Sequence, residues 1–312
     1  MTDTPPSTDP RYPVRLVAIR TGLSPHVLRA WERRYRVVSP KRSEGGQRLY
    51  SDLDVERLLR LRRLTDRGHA IGRIAALPLA ELARLEDEAP TGQSGTPGES
   101  APDAAATALE ATLRLDPAEL QAVLERAAVT LGTSVFVDQV VSPLLERIGH
   151  GWSERSVSVA QEHMASAVIR RVLGWLLHLY EARNGAPRLV VATPPHHAHE
   201  LGALMAAASA AAEGWNVTYL GPDLPVADLV SAVGLSGARA VAISAVHQPE
   251  GGDLLGALRD TRSRLPHDVA LLVGGTGALQ RRAGVEAAGA RVIESLAEFR
   301  ALLPRLAEEP VR

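Results

Sequence analysis

The hydrophobic positions change period along the chain, and each change marks a different kind of element. From Tyr12 onward Val14, Val17, Ala18 and Leu23 keep helical spacing. Gly22, Leu23 and Ser24 then read as a turn with Ser24 as N-cap, and Pro25 takes the first helical position, where its missing N–H costs nothing. Over residues 25–35, Val27, Leu28 and Trp31 fall on one side and Arg29, Arg33 and Arg34 towards the other, which assigns Trp31 to a core. Two short helices joined by a glycine turn, the second rich in arginine, form a helix-turn-helix candidate. Lys41, Arg42, Gly45, Gly46, Arg48, Leu49 and Tyr50 follow as a basic hairpin turned by glycines, a wing suited to gripping backbone phosphates. Ser51 and Asp54 then cap another helix, to about residue 67.

Residues 87–103 contain Pro, Gly, Ser and Thr without an apolar anchor and read as a flexible linker, so the winged module before it is expected to be tethered. Helical stripes return over 104–184. Asp116 and Pro117 make an N-cap and first position, and Leu120, Val123, Leu124 and Ala127 continue the stripe. Helices over 104–113, from Pro117, over 133–148 and over 157–183 predict a four-helix bundle, with Gly149, His150, Gly151 and Trp152 between the third and fourth. Beyond Pro187 short apolar runs at 188–193, 216–220, 239–245, 269–273 and 290–293 alternate with amphipathic helices as far as residue 309. Such alternation predicts a parallel, doubly wound sheet, and its five strands with a ligand loop after the first suggest the flavodoxin-like order 2-1-3-4-5. The fold class is therefore multidomain, α and α/β, with domains at 12–80, 104–184 and 187–309.

Composition narrows the chemistry. The chain has no cysteine, which excludes disulfides, thiolate metal sites and cysteine nucleophiles. The N-terminal residues are polar and no apolar run reaches about 18 residues, so neither a signal peptide nor a membrane span is expected, and a cytoplasmic location is. The net charge of −1 conceals an asymmetry: residues 1–80 hold 16 Lys and Arg against 8 Asp and Glu, and the remainder 19 against 28. A basic head on an acidic body is the signature of a nucleic-acid-binding module joined to something else.

Three features fall at strand carboxyl ends, where open α/β sheets bind ligands. The first is the loop holding His196, His197 and His199 before Gly202; the second is Ser244 with Val246; the third is Gly274 with Gly275. An imidazole can ligate cobalt, iron or zinc, and glycines admit close approach of a ligand. On spacing alone the three histidines are interchangeable, and a metal ion or haem held by His196, His197 and His199 is one reading. Trp152 and, within the last bundle helix, Glu162 and His163 stand out on the helical side. No residue set indicates a reacting substrate, and no enzymatic turnover is expected.

Two resemblances follow. Residues 12–77, through Trp31, Glu32, Arg33, Arg34, Tyr35, the Pro40 to Arg42 step and Gly46, Gln47, Arg48, Leu49, Tyr50, resemble the winged helix-turn-helix of MerR-type transcription regulators. The resemblance implies a double-stranded operator, with Arg29 and Arg33 in the major groove and Arg42, Arg48 and Tyr50 on phosphates. The histidine loop, Ser244 with Val246, and Gly274 with Gly275 resemble the cobalamin-binding domain of corrinoid proteins. Taken together, the domain order looks like that of the cobalamin-dependent photoreceptor repressors of the CarH/LitR kind. That likeness implies adenosylcobalamin as cofactor, His199 as lower cobalt ligand, and Gly202, Ser244, Val246, Gly274 and Gly275 around the nucleotide tail. Trp152, Val159, Glu162 and His163 would line the upper face, and the ligand-bound form would be a homotetramer that light dissociates. Two positions depart from the pattern: His197 stands where a carboxylate precedes the ligand, and Ser153 where a histidine follows the upper-face tryptophan. A corrinoid methyltransferase subunit would share bundle and sheet but has no use for the winged head.

Overall fold

The computed structural model describes residues 9–23, 25–43, 47–66, 69, 71–87, 100–180, 185–246 and 252–308. The chain divides into two compact units, Met1–Val172 and Leu173–Arg312. The first opens with β1 (Tyr12–Pro13), α1 (Val14–Thr21), α2 (Pro25–Tyr35), β2 (Lys41–Arg42), β3 (Arg48–Tyr50), α3 (Asp52–Asp66), α4 (Ile71–Ile74) and α5 (Leu79–Asp87). The strands form an antiparallel sheet in the order β1-β3-β2, with Tyr12 opposite Tyr50 and Lys41 opposite Leu49. Helix α1 stops where Gly22 turns to φ 68° and returns its N–H to the Ala18 carbonyl at 2.8 Å. Ser51 and Asp54 cap α3 reciprocally, Ser51 Oγ accepting the Asp54 N–H at 3.2 Å and the Asp54 carboxylate accepting the Ser51 N–H at 2.8 Å.

Val17, Leu28, Trp31, Tyr50, Leu58, Leu61 and Leu82 share the core of this module. Since Leu82 lies on α5, the packed module continues past residue 80. The part-buried Arg57 guanidinium donates to the carbonyls of Val37, Ala75 and Leu77, and burial lowers its pKa. The Ser24 cap, the glycine turn of the wing at 45–46, the helix end at residue 67 and most of the 87–103 linker lie outside the described residues.

The remainder of the unit is helical: α6 (Ala101–Leu113), α7 (Pro117–Leu131), α8 (Thr133–Val135), a π-helical segment (Phe136–Val141), α9 (Ser142–Ser153) and α10 (Val159–Leu179), the last crossing into the second unit. Because α8, the π segment and α9 are continuous, the described residues make four rods. Helix α6 begins at Ala101 rather than residue 104, since Ser100 Oγ accepts the Asp103 N–H at 3.3 Å and Pro102 is tolerated in the first turn. Asp116 caps α7, accepting the Glu119 N–H at 2.9 Å. The stretch from Gly149 to Trp152 lies inside α9, not between helices. A Cβ at Gly151 would come within 2.6 Å of Val157 Cγ2, so glycine lets the chain fold back closely after α9. The winged module also touches the bundle directly: α3 and α4 pack against α7, and Trp31 Nε1 donates to the Val129 carbonyl at 3.0 Å. The module expected to be tethered by its linker is thus also held by direct contact with the bundle.

The second unit alternates β4 (Arg188–Ala192), α11 (Leu201–Ala212), β5 (Asn216–Tyr219), α12 (Val226–Ser236), β6 (Ala240–Ser244), α13 (Leu254–Arg264), β7 (Ala270–Gly274), α14 (Thr276–Leu279), α15 (Arg282–Ala287), β8 (Arg291–Ile293) and α16 (Leu296–Glu308). Among the described residues the sheet has five parallel strands in the order β5-β4-β6-β7-β8, the 2-1-3-4-5 order expected. Alternate residues of β4 face opposite layers. Val190 and Ala192 pack with Leu229, Val233 and Leu258 of α12 and α13; Leu189 and Val191 pack with Ala203, Ala207 and Phe299 of α11 and α16. Helices on both faces explain why these strands read as apolar runs. Among the described residues no helix is long and apolar enough to cross a membrane.

Candidate functional site

The loop after β4 is braced before any ligand is considered. Thr193, itself buried, accepts the Leu224 N–H through its carbonyl at 3.2 Å and the Asp223 N–H through Oγ1 at 2.9 Å. Its hydroxyl donates to the His197 carbonyl. The His197 N–H returns to the Pro194 carbonyl at 3.1 Å, and the His196 N–H donates to Asp223 Oδ1 at 2.6 Å, with His196 at φ 68°. The loop is thereby fastened to the turn that follows β5.

This bracing separates the three histidines that spacing left equal. His197 turns inward and is 4% exposed, whereas His196 and His199 are exposed at the sheet edge. Among the described residues no three His, Asp or Glu side chains come together in a way that could hold a metal ion. The reading of a bare ion shared by His196, His197 and His199 is therefore corrected: they diverge. One exposed imidazole can still supply one axial ligand to a metal that a macrocycle already holds. Next to His199, the Glu200 carboxylate accepts a hydrogen bond from the Tyr219 hydroxyl of β5, which fixes the start of α11.

The other strand-end residues gather beside this loop. Ser244 ends β6, and a Cβ placed on Gly202 would lie 2.6 Å from Ser244 Oγ and 3.6 Å from Val246 Cγ2. At the next strand the Ala245 N–H donates to the Gly274 carbonyl at 2.9 Å. Gly275 adopts φ 98°, and a Cβ there would come within 2.6 Å of the Ala245 carbonyl oxygen, so no other residue fits. Gly202, Ser244, Val246, Gly274 and Gly275 thus adjoin along three neighbouring strands, β4, β6 and β7. Of these five positions only Ser244 and Val246 carry side chains, and both lie against Gly202. His247 lies outside the described residues.

In the first unit, Trp152 on the last turn of α9 is 56% exposed and Val159 at the start of α10 is 54% exposed. The two side chains stand on either side of the turn that joins α9 to α10. Ser158 and Gln161 cap α10 reciprocally, and Gln161 Nε2 donates to the Leu113 carbonyl at 2.7 Å. Glu162 accepts from Ser166 Oγ at 2.6 Å and lies 3.5 Å from His163 Nε2, whose side chain is exposed. Ser153 Oγ donates to the His150 carbonyl of its own helix at 2.7 Å.

On the winged module Arg29 and Arg33 are exposed one turn apart on α2, and Arg42 is exposed on β2. Arg48 Nε donates to Glu32 Oε1 of α2 at 3.1 Å, so this arginine ties strand to helix. Tyr50 is corrected as a phosphate contact. It lies on the same side of β3 as Arg48, towards α2, and is fully buried. Burial and the Glu32 carboxylate push its phenol up to about 12. Trp31, which sequence reasoning left in the core without a task, proves to hydrogen-bond to the bundle.

Residues 12–78 match the model of the MerR HTH family regulatory proteins, and residues 104–177 and 187–303 match two models of B12 binding domains. The chain is 34% identical over 287 residues to the HTH-type transcriptional repressor CarH of Myxococcus xanthus, covering 91% of this chain and 95% of that one. To the HTH-type transcriptional repressor CarA of the same organism it is 32% identical over 292 residues, covering 93% and 95%. In fold it is similar to the monomethylamine corrinoid protein of Methanosarcina barkeri, with a TM-score of 0.53 at 16% identity over 64% of this chain and 96% of that one.

Proposed function

We infer, since the chain belongs to the family of the transcriptional repressors CarH and CarA, that it is a cytoplasmic repressor whose hold on its operator is set by adenosylcobalamin and released by light. The observation that carries this reading is the division of the histidine loop: His199 stands exposed at the sheet edge while His197 is buried. His196 is exposed too, so the loop offers outward imidazoles that do not converge on a naked ion; of the two, His199 lies nearer Gly202 at the start of α11, where one imidazole suits a metal brought in by a corrin ring.

In this reading His199 is the lower axial ligand. Gly202, Ser244, Val246, Gly274 and Gly275 receive the nucleotide tail: glycine at 202 leaves the Ser244 hydroxyl uncrowded, and Gly275 lets the neighbouring strand ends approach closely. Trp152, Val159, Glu162 and His163 would be the residues of the helical unit that hold the adenosyl group, and Trp152 and Val159 stand exposed. The cofactor supplies, when bound, a cobalt–carbon bond that light cleaves. Ser153 offers no imidazole for the face so uncovered, and its hydroxyl is already given to His150. Buried His197 supports the loop from inside and is not an alternative ligand.

Arg29 and Arg33 read the major groove, and Arg42 grips phosphate; Arg48 reaches DNA only by sharing itself with Glu32. The loaded chain assembles as a homotetramer that sets several winged modules on adjacent sites, so that avidity supplies what one module lacks. The requirement is that the ligand bind the two assembly states with different affinity.

The test is size-exclusion chromatography with absorption spectra, in adenosylcobalamin, before and after green light, on the wild type, His199→Ala and His197→Ala. The wild type is expected to form a larger assembly in the dark and to lose it on illumination. His199→Ala should lose the imidazole-ligated spectrum while His197→Ala keeps it. Apo-protein that binds operator as tightly as the loaded form, in dark and light alike, overturns the reading.

A further inference from the structure

Trp31 is fully buried, and an indole N–H taken out of water needs an acceptor. Its acceptor lies 98 residues away, across the linker: the Val129 carbonyl, at 3.0 Å. Val129 belongs to the last turn of α7, where carbonyls run out of intrahelical donors as Gly132 turns the chain away at φ 77°. Each group therefore meets a need the other has. The contact is broader than one bond, since the Val129 side chain packs on the core of the winged module and α3 packs against both α7 and α8. Trp31 also sits on the same helix as Arg29 and Arg33, on its buried side, so whatever fixes the indole fixes the arginines. Helix α8 begins immediately after Gly132 and continues through the π segment into α9, whose far end carries Trp152.

We propose that Trp31 is a positioning residue that docks the DNA-reading helix on the end of α7, so that α2 moves with the bundle and not on a free tether. The operator readout below rests on the proposed repressor function; the distance readout does not. The spacing between winged modules in an assembly is then set by the bundles, and the length of the 88–99 segment has little influence on it. A tether behaves oppositely, because effective concentration falls as a linker grows.

The chain lacks cysteine, so a pair introduced at the exposed positions Ala80 and Ala122 is unique. Spin labels on Ala80→Cys/Ala122→Cys in the full-length protein are expected to give one narrow distance distribution. Inserting about ten Gly and Ser residues after Gly92 should leave that distribution narrow and operator affinity within roughly twofold. Trp31→Phe, which keeps a ring but removes the donor, should broaden the distribution, lower operator affinity by about fivefold and make it sensitive to the insertion. A broad distribution in the otherwise unaltered chain, or one broadened by the insertion alone, overturns docking. A distribution as narrow in Trp31→Phe as in its parent overturns the role of Trp31. Narrow distances that respond as described, in a protein that ignores operator DNA, would fault the repressor reading and leave the docking intact.

Discussion

Tyr50 is packed where a phosphate cannot reach it, and its burial has a titration consequence. Its folded-state pKa is raised to about 12, so the folded protein holds the phenolic proton more tightly than the unfolded chain. The stabilisation is fully present below about pH 10, the ordinary value, and is lost as pH rises through about 12. Tyrosinate absorbance should show one of the five tyrosines titrating late, and Tyr50→Phe should remove that component. At Gly275 the left-handed φ of 98° and the 2.6 Å approach to the Ala245 carbonyl act together. Gly275→Ala is expected to destabilise the α/β unit by about 2–3 kcal/mol, seen in urea unfolding, and to weaken cobalamin uptake. The importance of Gly275 was legible from its position after a strand. The difference between His197 and His199 was not, because it is made by Thr193 and Asp223, which reach the loop from β4 and from the turn after β5. Tyr50 was misplaced for a similar reason: period two puts it beside Arg48, but only the position of α2 decides whether that side faces DNA or core.

Elements were the most readable level. The parallel sheet followed from apolar runs alternating with helices, and its order from the number of strands and the ligand loop after the first of them; the crossover from β5 to β6 passes over β4, as that order requires. The Asp116 cap was read from two residues and has the bond expected of it, so Asp116→Ala should cost about 1 kcal/mol in thermal unfolding of the bundle. Boundaries failed where glycine was taken as punctuation. Gly149 and Gly151 both lie within α9; at Gly151 close packing under Val157 outweighs glycine's poor helix propensity, whereas Gly149 faces open space. The start of α6 was legible in the spacing of Ser100 and Asp103, a capping pair that the surrounding prolines and glycines masked.

At the scale of the whole molecule, the contact between Trp31 and Val129 had no local signal, because it joins helices separated by a segment whose composition says only that it is polar. The charge asymmetry was legible and has a measurable counterpart. Arg42→Ala should weaken DNA binding evenly across sequences and reduce the slope of log affinity against log salt by about one. Arg29→Ala should cost about 1–3 kcal/mol on the preferred operator and little on unrelated DNA. The π segment at Phe136–Val141 also acts beyond its own turn. One extra residue in a helical turn rotates everything after it by about 100°. The compass bearing of Trp152 is thus set upstream, where the wider π turn takes up an additional residue, and a one-residue shift that this turn did not absorb would swing the tryptophan to a different face of the rod.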